Sequence, residues 1–305
     1  MSARPWFVLV AAACAVLATA PSVAVEPAVQ APSPAASAAG DAPATTPPPP
    51  VKSGLKPLWE LGLGASGVRL PDYRGSSVSH NYLLPLPYVV YRGTWLRSDR
   101  DGTRAMLFDS PRVKLDLSFG AAAPSRSGNP AREGMPDLPG NVEVGPSLNI
   151  TLDQEVRKRW TLDLRLPVRG VVTLESSPRY AGATFSPNLN FDLKDPTHGW
   201  NVGFLTGPLF ANRRYHQQYY EVAPAYARPG RPAHQTRGGY AGWQTIAATS
   251  KRFGHTWFGA FARLENLNGA VYADSPMVKR NSALTVGFGV SWVLATSETM
   301  VESRY

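Results

Sequence analysis

The segment Val113-Lys-Leu-Asp-Leu-Ser-Phe-Gly-Ala121 decides the fold class of this chain. Its odd positions are all apolar, whereas its even positions hold Lys, Asp, Ser and Gly. Since successive side chains of a β-strand point to opposite faces, such a strand has one apolar and one polar face. The same alternation recurs along the chain, in residues 59–65, 142–150, 160–166, 185–193 and 284–292. The sequence therefore predicts an all-β protein.

The alternating segments and the turn residues between them predict ten strands. We place them at residues 57–66, 81–98, 103–122, 141–152, 159–174, 184–194, 199–210, 240–250, 255–266 and 282–294. The connections between these strands are long and short in strict alternation. An outer-membrane barrel has this pattern and an even strand number, whereas a sandwich with Greek-key crossovers has no reason to keep it. We expect an antiparallel transmembrane β-barrel of about ten strands, or of twelve if Asp109-Ser-Pro111 forms a tight turn.

The tryptophans give a second indication of a membrane barrel. Six of them fall near the same end of the predicted strands, namely Trp59, Trp95, Trp160, Trp200, Trp257 and Trp292. Indole rings prefer the headgroup level of a bilayer, so these residues are expected to form an aromatic belt. The strands of Trp95 and Trp257 each need a β-bulge to keep the ring outside. A second belt is expected at the other end, from Tyr82, Phe119, Phe185, Phe210, Tyr240 and Trp243.

The N-terminal region predicts export from the cytoplasm. Residues 1–24 combine an early arginine, an apolar stretch and small residues before a cleavage site, as in a secretory signal peptide. Residues 25–52 are rich in proline and alanine and end in four consecutive prolines, which predicts a disordered spacer. Residues 53–305 then form the barrel. The expected location is the outer membrane, with the spacer in the periplasm, where it could reach peptidoglycan.

Composition excludes several other classes of protein. Past the N-terminus no apolar run reaches the length of a transmembrane helix, and Cys14 is the single cysteine, so no cysteine metal cluster can form. The formal net charge is +9, which favours anionic partners. The basic residues lie in separate loops, which argues against nucleic acid as a partner. Charged residues on the polar strand faces are expected to pair inside the barrel, although a narrow channel is an alternative.

Motifs of enzymes are missing from the sequence. The five histidines are scattered, and there is no HExxH, GxSxG or GxxxxGK[ST] motif. We therefore predict no enzyme activity, no catalytic residue, no cofactor and no metal site. A barrel hydrolase is the alternative, built from His80 with Asp72, or from His216 and His234.

Four loop motifs carry a family resemblance. They are Pro71-Asp-Tyr-Arg-Gly-Ser76, Ala131-Arg-Glu-Gly-Met-Pro-Asp-Leu138 before Val142-Glu-Val-Gly-Pro-Ser-Leu148, Leu264-Glu-Asn-Leu-Asn-Gly-Ala270, and Asp274-Ser-Pro-Met-Val278. With these motifs the chain resembles the MipA/OmpV family over about residues 57–294. The resemblance implies an outer-membrane barrel that acts as a scaffold for a lytic murein transglycosylase and a bifunctional penicillin-binding protein. The family offers no catalytic residues to carry over.

The same loops supply the candidate partner-binding residues. We select Asp72, Tyr73, Arg74, Arg132, Asp137, Arg231 and Asp274. Purely structural roles in stiff turns are the alternative for these positions. Because arginine matches phosphate in a bidentate fork, the basic loops also suit outer-membrane lipids and lipopolysaccharide. A surface-binding or adhesion barrel is therefore the alternative function.

Overall fold

The computed structural model describes residues 55–302 except 93–95, 100–101, 111, 126–127, 156–158 and 197. The predicted signal peptide, the predicted spacer and Trp95 lie outside the described residues. The described strands, in chain order, are β1 (Leu55–Pro57), β2 (Trp59–Pro71), β3 (Ser79–Arg92), β4 (Leu96–Asp99), β5 (Gly102–Asp109), β6 (Val113–Ala122), β7 (Asn141–Gln154), β8 (Trp160–Thr173), β9 (Tyr180–Phe185), β10 (Asn188–Lys194), β11 (Trp200–Ala211), β12 (Gly239–Phe253), β13 (Thr256–Asn266), β14 (Ser282–Thr296) and β15 (Met300–Glu302). Between the described strands lie one α-helix, α1 (Arg213–Tyr220), and two 3₁₀ turns, Pro130–Arg132 and Pro224–Tyr226. Among the described residues, no helix has the length and apolar character needed to cross a bilayer.

Thirteen strands form one antiparallel sheet whose pairings close on themselves. Each strand from β2 to β8 pairs with the next, the strands from β11 to β14 pair in the same order, and β14 pairs with β2. At the other end β10 joins β8 to β11, while β9 also pairs with both of these strands. Since β9 and β10 share one position between β8 and β11, the thirteen strands occupy twelve positions. The predicted antiparallel β-barrel is confirmed, and the strand number agrees with the alternative of twelve.

The expectation of ten strands is wrong because two predicted strands are hairpins. The predicted strand 103–122 breaks between β5 and β6, where the Ser110 backbone N–H donates to the Val113 carbonyl at 2.9 Å. The Val113 N–H returns a bond to Ser110 Oγ at 3.0 Å, which completes the tight turn. The predicted strand 81–98 likewise divides into β3 and β4. Because only residues 100–101 join β4 to β5, the strict alternation of long and short connections fails there.

The strand faces are apolar outside and polar inside, the reverse of a soluble protein. In β14, Leu284, Val286 and Phe288 are exposed, whereas Thr285 and Ser291 are buried. The same inversion holds around the sheet: buried polar residues of the strands include Glu60, Asp116, Asn149, Asn188 and Asn190, and exposed apolar ones include Leu63, Leu83, Val168, Leu189 and Phe204. A wide apolar exterior of this kind suits lipid rather than water.

Two ends of the barrel can be distinguished. At one end, which we call the ribbon end, β1 and β15 pair as a two-stranded ribbon below β2 and β14. At the other, the cap end, the connections 72–78, 123–140, 212–238 and 267–281 pack together. Inside the ribbon end, Glu60 is buried and accepts hydrogen bonds from Arg92 at 2.6 Å and from Arg252. Further along the interior, Arg165 pairs with Asp192 and Arg169 with Glu143.

Four of the predicted belt tryptophans lie on the outer face near the ribbon end. By strand alternation these are Trp59, Trp160, Trp200 and Trp292, and Trp292 is 52% exposed. The prediction for Trp257 is wrong, because β13 pairs with β12 and β14 without a bulge. Trp257 therefore shares the inner face with Glu265, and its ring covers the inner face of Gly259. At the cap end Phe185, Phe210, Tyr240 and Trp243 form an outer aromatic group, whereas unbulged pairing with β2 turns Tyr82 to the other face.

Candidate functional site: the loop cap

Four loops meet at the cap end and enclose an apolar core. Its buried members are Tyr73, Leu138, Tyr219, Tyr220, Val222, Ala241, Leu267, Ala270, Tyr272 and Met277. We call this assembly the loop cap. All four family motifs contribute to it, because Tyr73, Leu138, Leu267 and Met277 each come from a different motif. The motifs therefore build a packed structure over the barrel rather than four separate exposed loops.

Arg74 is fixed inside the loop cap by a buried ion pair. Its Nε donates to Glu265 Oε1 at 2.7 Å, and Nη1 donates to the Ala241 carbonyl at 3.4 Å. Burial by itself would lower the pKa of Arg74, but the Glu265 carboxylate raises it above the ordinary arginine value. Next to it, the Tyr73 hydroxyl donates to the Met277 carbonyl at 2.9 Å, and burial raises the pKa of Tyr73 to about 12. Both candidate residues thus have partners within the chain.

Asp72 and His80, proposed as partners in the hydrolase alternative, do lie together. His80 Nε2 is 3.0 Å from Asp72 Oδ1, and the Asp72 side chain is 1% exposed against 52% for His80. Asn129 Nδ2 donates to Asp72 Oδ2 at 2.8 Å and to Ser76 Oγ at 3.0 Å. Ser76 Oγ in turn bonds to the backbone of Val78. Within the described part of the chain, the nearby serine hydroxyl is therefore occupied by the turn and does not bond to His80.

The two histidines of the longest loop have structural surroundings. His216 is fully buried, its Nδ1 lies 2.6 Å from the Arg237 carbonyl, and its ring lies 4.8 Å from that of Tyr272. Burial lowers the pKa of His216, and the nearby Arg74 lowers it further, although the Arg237 carbonyl raises it. His234 forms a β-bridge with Val222 through its backbone. Within the described residues, no group of three His, Cys, Asp or Glu side chains is arranged to hold a metal ion.

The remaining candidate residues divide into two kinds. Arg132 donates to the carbonyls of Tyr219 and Pro136, and Arg231 donates to those of Ala131, Glu133 and Tyr226. These guanidinium groups therefore join the loops to one another. Asp137 and Asp274 are exposed at the surface of the loop cap. Of the seven candidates, five are built into the cap and two face solvent.

Helix α1 is the part of the site that the prediction from the sequence missed, because that prediction considered only strands and loops. It supplies Tyr215, His216, Tyr219 and Tyr220 to the cap, spaced so that one face of the helix is buried. Asn212 caps its first turn, with Oδ1 accepting from the Tyr215 N–H at 3.0 Å. The signal was present in the sequence as an Asn followed by eight residues without Gly or Pro.

Comparison with known proteins identifies a protein family and finds solved structures of weak similarity. The family model described as MltA-interacting protein MipA matches residues 63–294. No curated protein matches the chain. A solved bacterial polysaccharide outer membrane secretin is similar with a TM-score of 0.42 and 10% identity, over 77% of this chain and 99% of that one. The outer membrane phospholipase A from Escherichia coli is similar with a TM-score of 0.31 and 13% identity, over 79% and 94% of the two chains.

Proposed function

This outer-membrane β-barrel protein belongs to the MltA-interacting protein MipA family, and we propose that it is a non-enzymatic scaffold for enzymes that hydrolyse and synthesise murein. The family match over residues 63–294 is the observation that carries the proposal. The partners are then a lytic murein transglycosylase and a penicillin-binding protein. The predicted signal peptide and the periplasmic spacer of residues 25–52 belong to the same proposal.

The loop cap and the barrel interior support a scaffold rather than an enzyme or a wide pore. The cap core covers one end of the barrel, and ion pairs such as Arg92–Glu60 and Arg165–Asp192 occupy its interior. The Asp72–His80 pair has no free hydroxyl nucleophile beside it in the described residues. A scaffold only has to hold its partners in position, so it needs neither a reactive side chain nor an open pore.

The ribbon end is the surface that we propose for murein enzymes. The short connection 254–255 lies there and the long connections lie at the cap end, so the ribbon end would face the periplasm and the cap end the outside. Leu55 and Met300 on the ribbon, and Leu294 at the end of β14, are 60%, 47% and 73% exposed. Exposed apolar side chains beyond the aromatic belt favour contact with another protein.

The test is retention of murein enzymes from detergent-solubilised envelopes on the purified native barrel. We expect a lytic transglycosylase to be retained, and the double variant Leu55→Asp/Met300→Asp to lose most of it. Lys279→Ala/Arg280→Ala, which changes only exposed residues of the loop cap, is the matched control and should retain the enzyme. If the native barrel captures no murein enzyme, the scaffold proposal is wrong.

A further inference from the structure

Three arginines form a positively charged patch at the cap end, beside the wall of the barrel. Arg213 and Arg214 open α1, and Arg237 precedes β12; all three side chains are exposed. The Arg213 backbone N would lie 2.9 Å from a Cβ placed on Gly238, so the two ends of this long loop meet here. The Arg214 guanidinium lies 5.5 Å from the centre of the Tyr180 ring at the start of β9. We call these three residues the arginine patch.

The arginine patch lacks the carboxylate partner that three other arginines at the cap end have. Arg228 pairs with Glu133, Arg179 with Glu175 and Arg74 with Glu265. Among the described residues, no ion pair is found for Arg213, Arg214 or Arg237. Three adjacent positive charges without internal compensation attract an anion from outside the chain.

An aromatic column lies on the outer wall at the ends of the same strands. Phe185 stacks on Phe210 with ring centroids 6.2 Å apart, and Phe210 meets Tyr240 at 5.8 Å. These residues belong to β9, β11 and β12, the strands that flank the arginine patch. The patch thus stands at the point where the apolar wall ends, which is the headgroup level of a bilayer.

A cleft continues the surface along the next strands. Its volume is about 480 Å³, and its lining is mainly apolar. The lining residues are the exposed Trp243 and Leu264 together with Thr245, Glu265, Asn266, Asn268, Asn281 and Ser282. The Trp243 indole N–H donates to Thr206 Oγ1 at 2.8 Å, which fixes the ring at the mouth of the cleft. Amide side chains can both donate and accept hydrogen bonds, as sugar hydroxyls require.

We propose that the arginine patch binds a phosphate group of lipopolysaccharide in the outer leaflet. Arginine forks pair with phosphate in two parallel hydrogen bonds, and three of them match a doubly charged group. The cleft beside Trp243 then receives the sugar, and the aromatic column contacts the acyl chains. The inference rests on the outer-membrane location of the proposed function, but not on its murein partners.

The experiment measures binding of purified lipopolysaccharide to the full barrel in detergent. The variant is Arg213→Gln/Arg214→Gln/Arg237→Gln, and the matched control is Arg69→Gln/Lys279→Gln/Arg280→Gln, which removes three charges elsewhere on the same rim. We expect the patch variant to bind lipopolysaccharide at least about tenfold more weakly than the native protein does. The control should bind within about twofold of the native protein. Heat-modifiable mobility in gels verifies that both variants are folded.

Two further probes separate the source of the phosphate. Lipopolysaccharide stripped of phosphate should bind the native barrel and the patch variant equally weakly, whereas phosphatidylglycerol vesicles should bind both without a difference. Equal binding of intact lipopolysaccharide by the native barrel and the patch variant would overturn the proposal. So would an equal loss in the control, or a loss of phosphatidylglycerol binding as large as that of lipopolysaccharide. A native barrel that captures no murein enzyme leaves these outcomes unaffected.

Discussion

Tyr220 and Tyr272 stack face to face in the loop cap, with ring centroids 3.7 Å apart and an angle of 7° between the rings. Tyr220 comes from α1 and Tyr272 from the connection between β13 and β14, so the stack joins two loops that are distant in sequence. Each hydroxyl also donates to a carbonyl, Tyr220 to Arg74 at 3.0 Å and Tyr272 to Ala241 at 2.8 Å. Burial is the main reason why the pKa of both phenols is raised. The stack is therefore the centre of the structure that closes the cap end.

Truncation of Tyr272 should open the loop cap without unfolding the barrel. Tyr272→Ala removes a fully buried ring, which typically costs about 3–5 kcal/mol, whereas Tyr272→Phe loses one hydrogen bond worth about 1 kcal/mol. We expect proteolysis within residues 212–238 to become fast in the Ala variant and to change little in the Phe variant. Digestion followed by mass spectrometry measures both. Equal protection of the Ala variant and the native protein would show that the stack does not hold the cap.

Loss of one partner of the Arg74–Glu265 pair should destabilise the protein strongly. The two side chains are 15% and 5% exposed, so Glu265→Ala leaves a largely buried guanidinium without its carboxylate. Such a change costs about 3–5 kcal/mol. Thermal unfolding in detergent should shift clearly, whereas Arg179→Ala, which breaks the exposed pair with Glu175, should leave it nearly unchanged. Similar shifts in the two variants would contradict the account of Arg74.

The stability of the loop cap should fall as the pH falls below about 6.5. Because the pKa of His216 is lowered in the folded cap, the opened state takes up a proton that the folded state resists. The contribution of neutral His216 to the stability of the cap is complete above the ordinary histidine pKa and is lost on acidification. Cleavage within residues 212–238, followed from pH 8 to pH 5, measures it. His216→Gln should flatten this profile and the exposed His255→Gln should not; a profile unchanged by His216→Gln would refute the assignment.

Alanine substitutions at two glycines should have opposite effects on closure of the barrel. A Cβ on Gly64 would overlap the Val290 carbonyl oxygen of the neighbouring strand, whereas one on Gly170 would find its nearest atom, the Val144 carbonyl oxygen, at 3.8 Å. Gly64→Ala should therefore impair pairing of β2 with β14, which joins the first and last strands of the barrel. Gly170→Ala should be tolerated. The yield of the compact, heat-modifiable form after refolding compares them, and equal yields would place the close approach in doubt.

The sequence was sufficient to predict which residues of most strands face inward, but not how the strands and loops are arranged in three dimensions. The alternation of apolar and polar residues identified Glu60 and Asn188 as inward, because this two-residue period can be recognised within one strand without knowing which strands lie beside it. It failed for Trp257, whose inward position depends on the bare inner face of Gly259. The turn at Ser110 was visible as an alternative, but the choice required the pairing of β5 with β6. The loop cap could not be predicted, since its core joins motifs as much as 204 residues apart, as with Tyr73 and Met277.

The inside-out wall is tested most directly on two adjacent residues of β14. Val286 is 38% exposed on the outer face, and Thr285 is 9% exposed on the inner face. Each is replaced by cysteine in a chain carrying Cys14→Ser, labelled with a polarity-sensitive fluorophore and reconstituted into bilayers that contain spin-labelled lipid. We predict strong quenching and a blue-shifted emission for the label at Val286→Cys, and neither for Thr285→Cys. Equal quenching at the two positions, or none at Val286→Cys, would contradict a barrel with an apolar exterior in lipid.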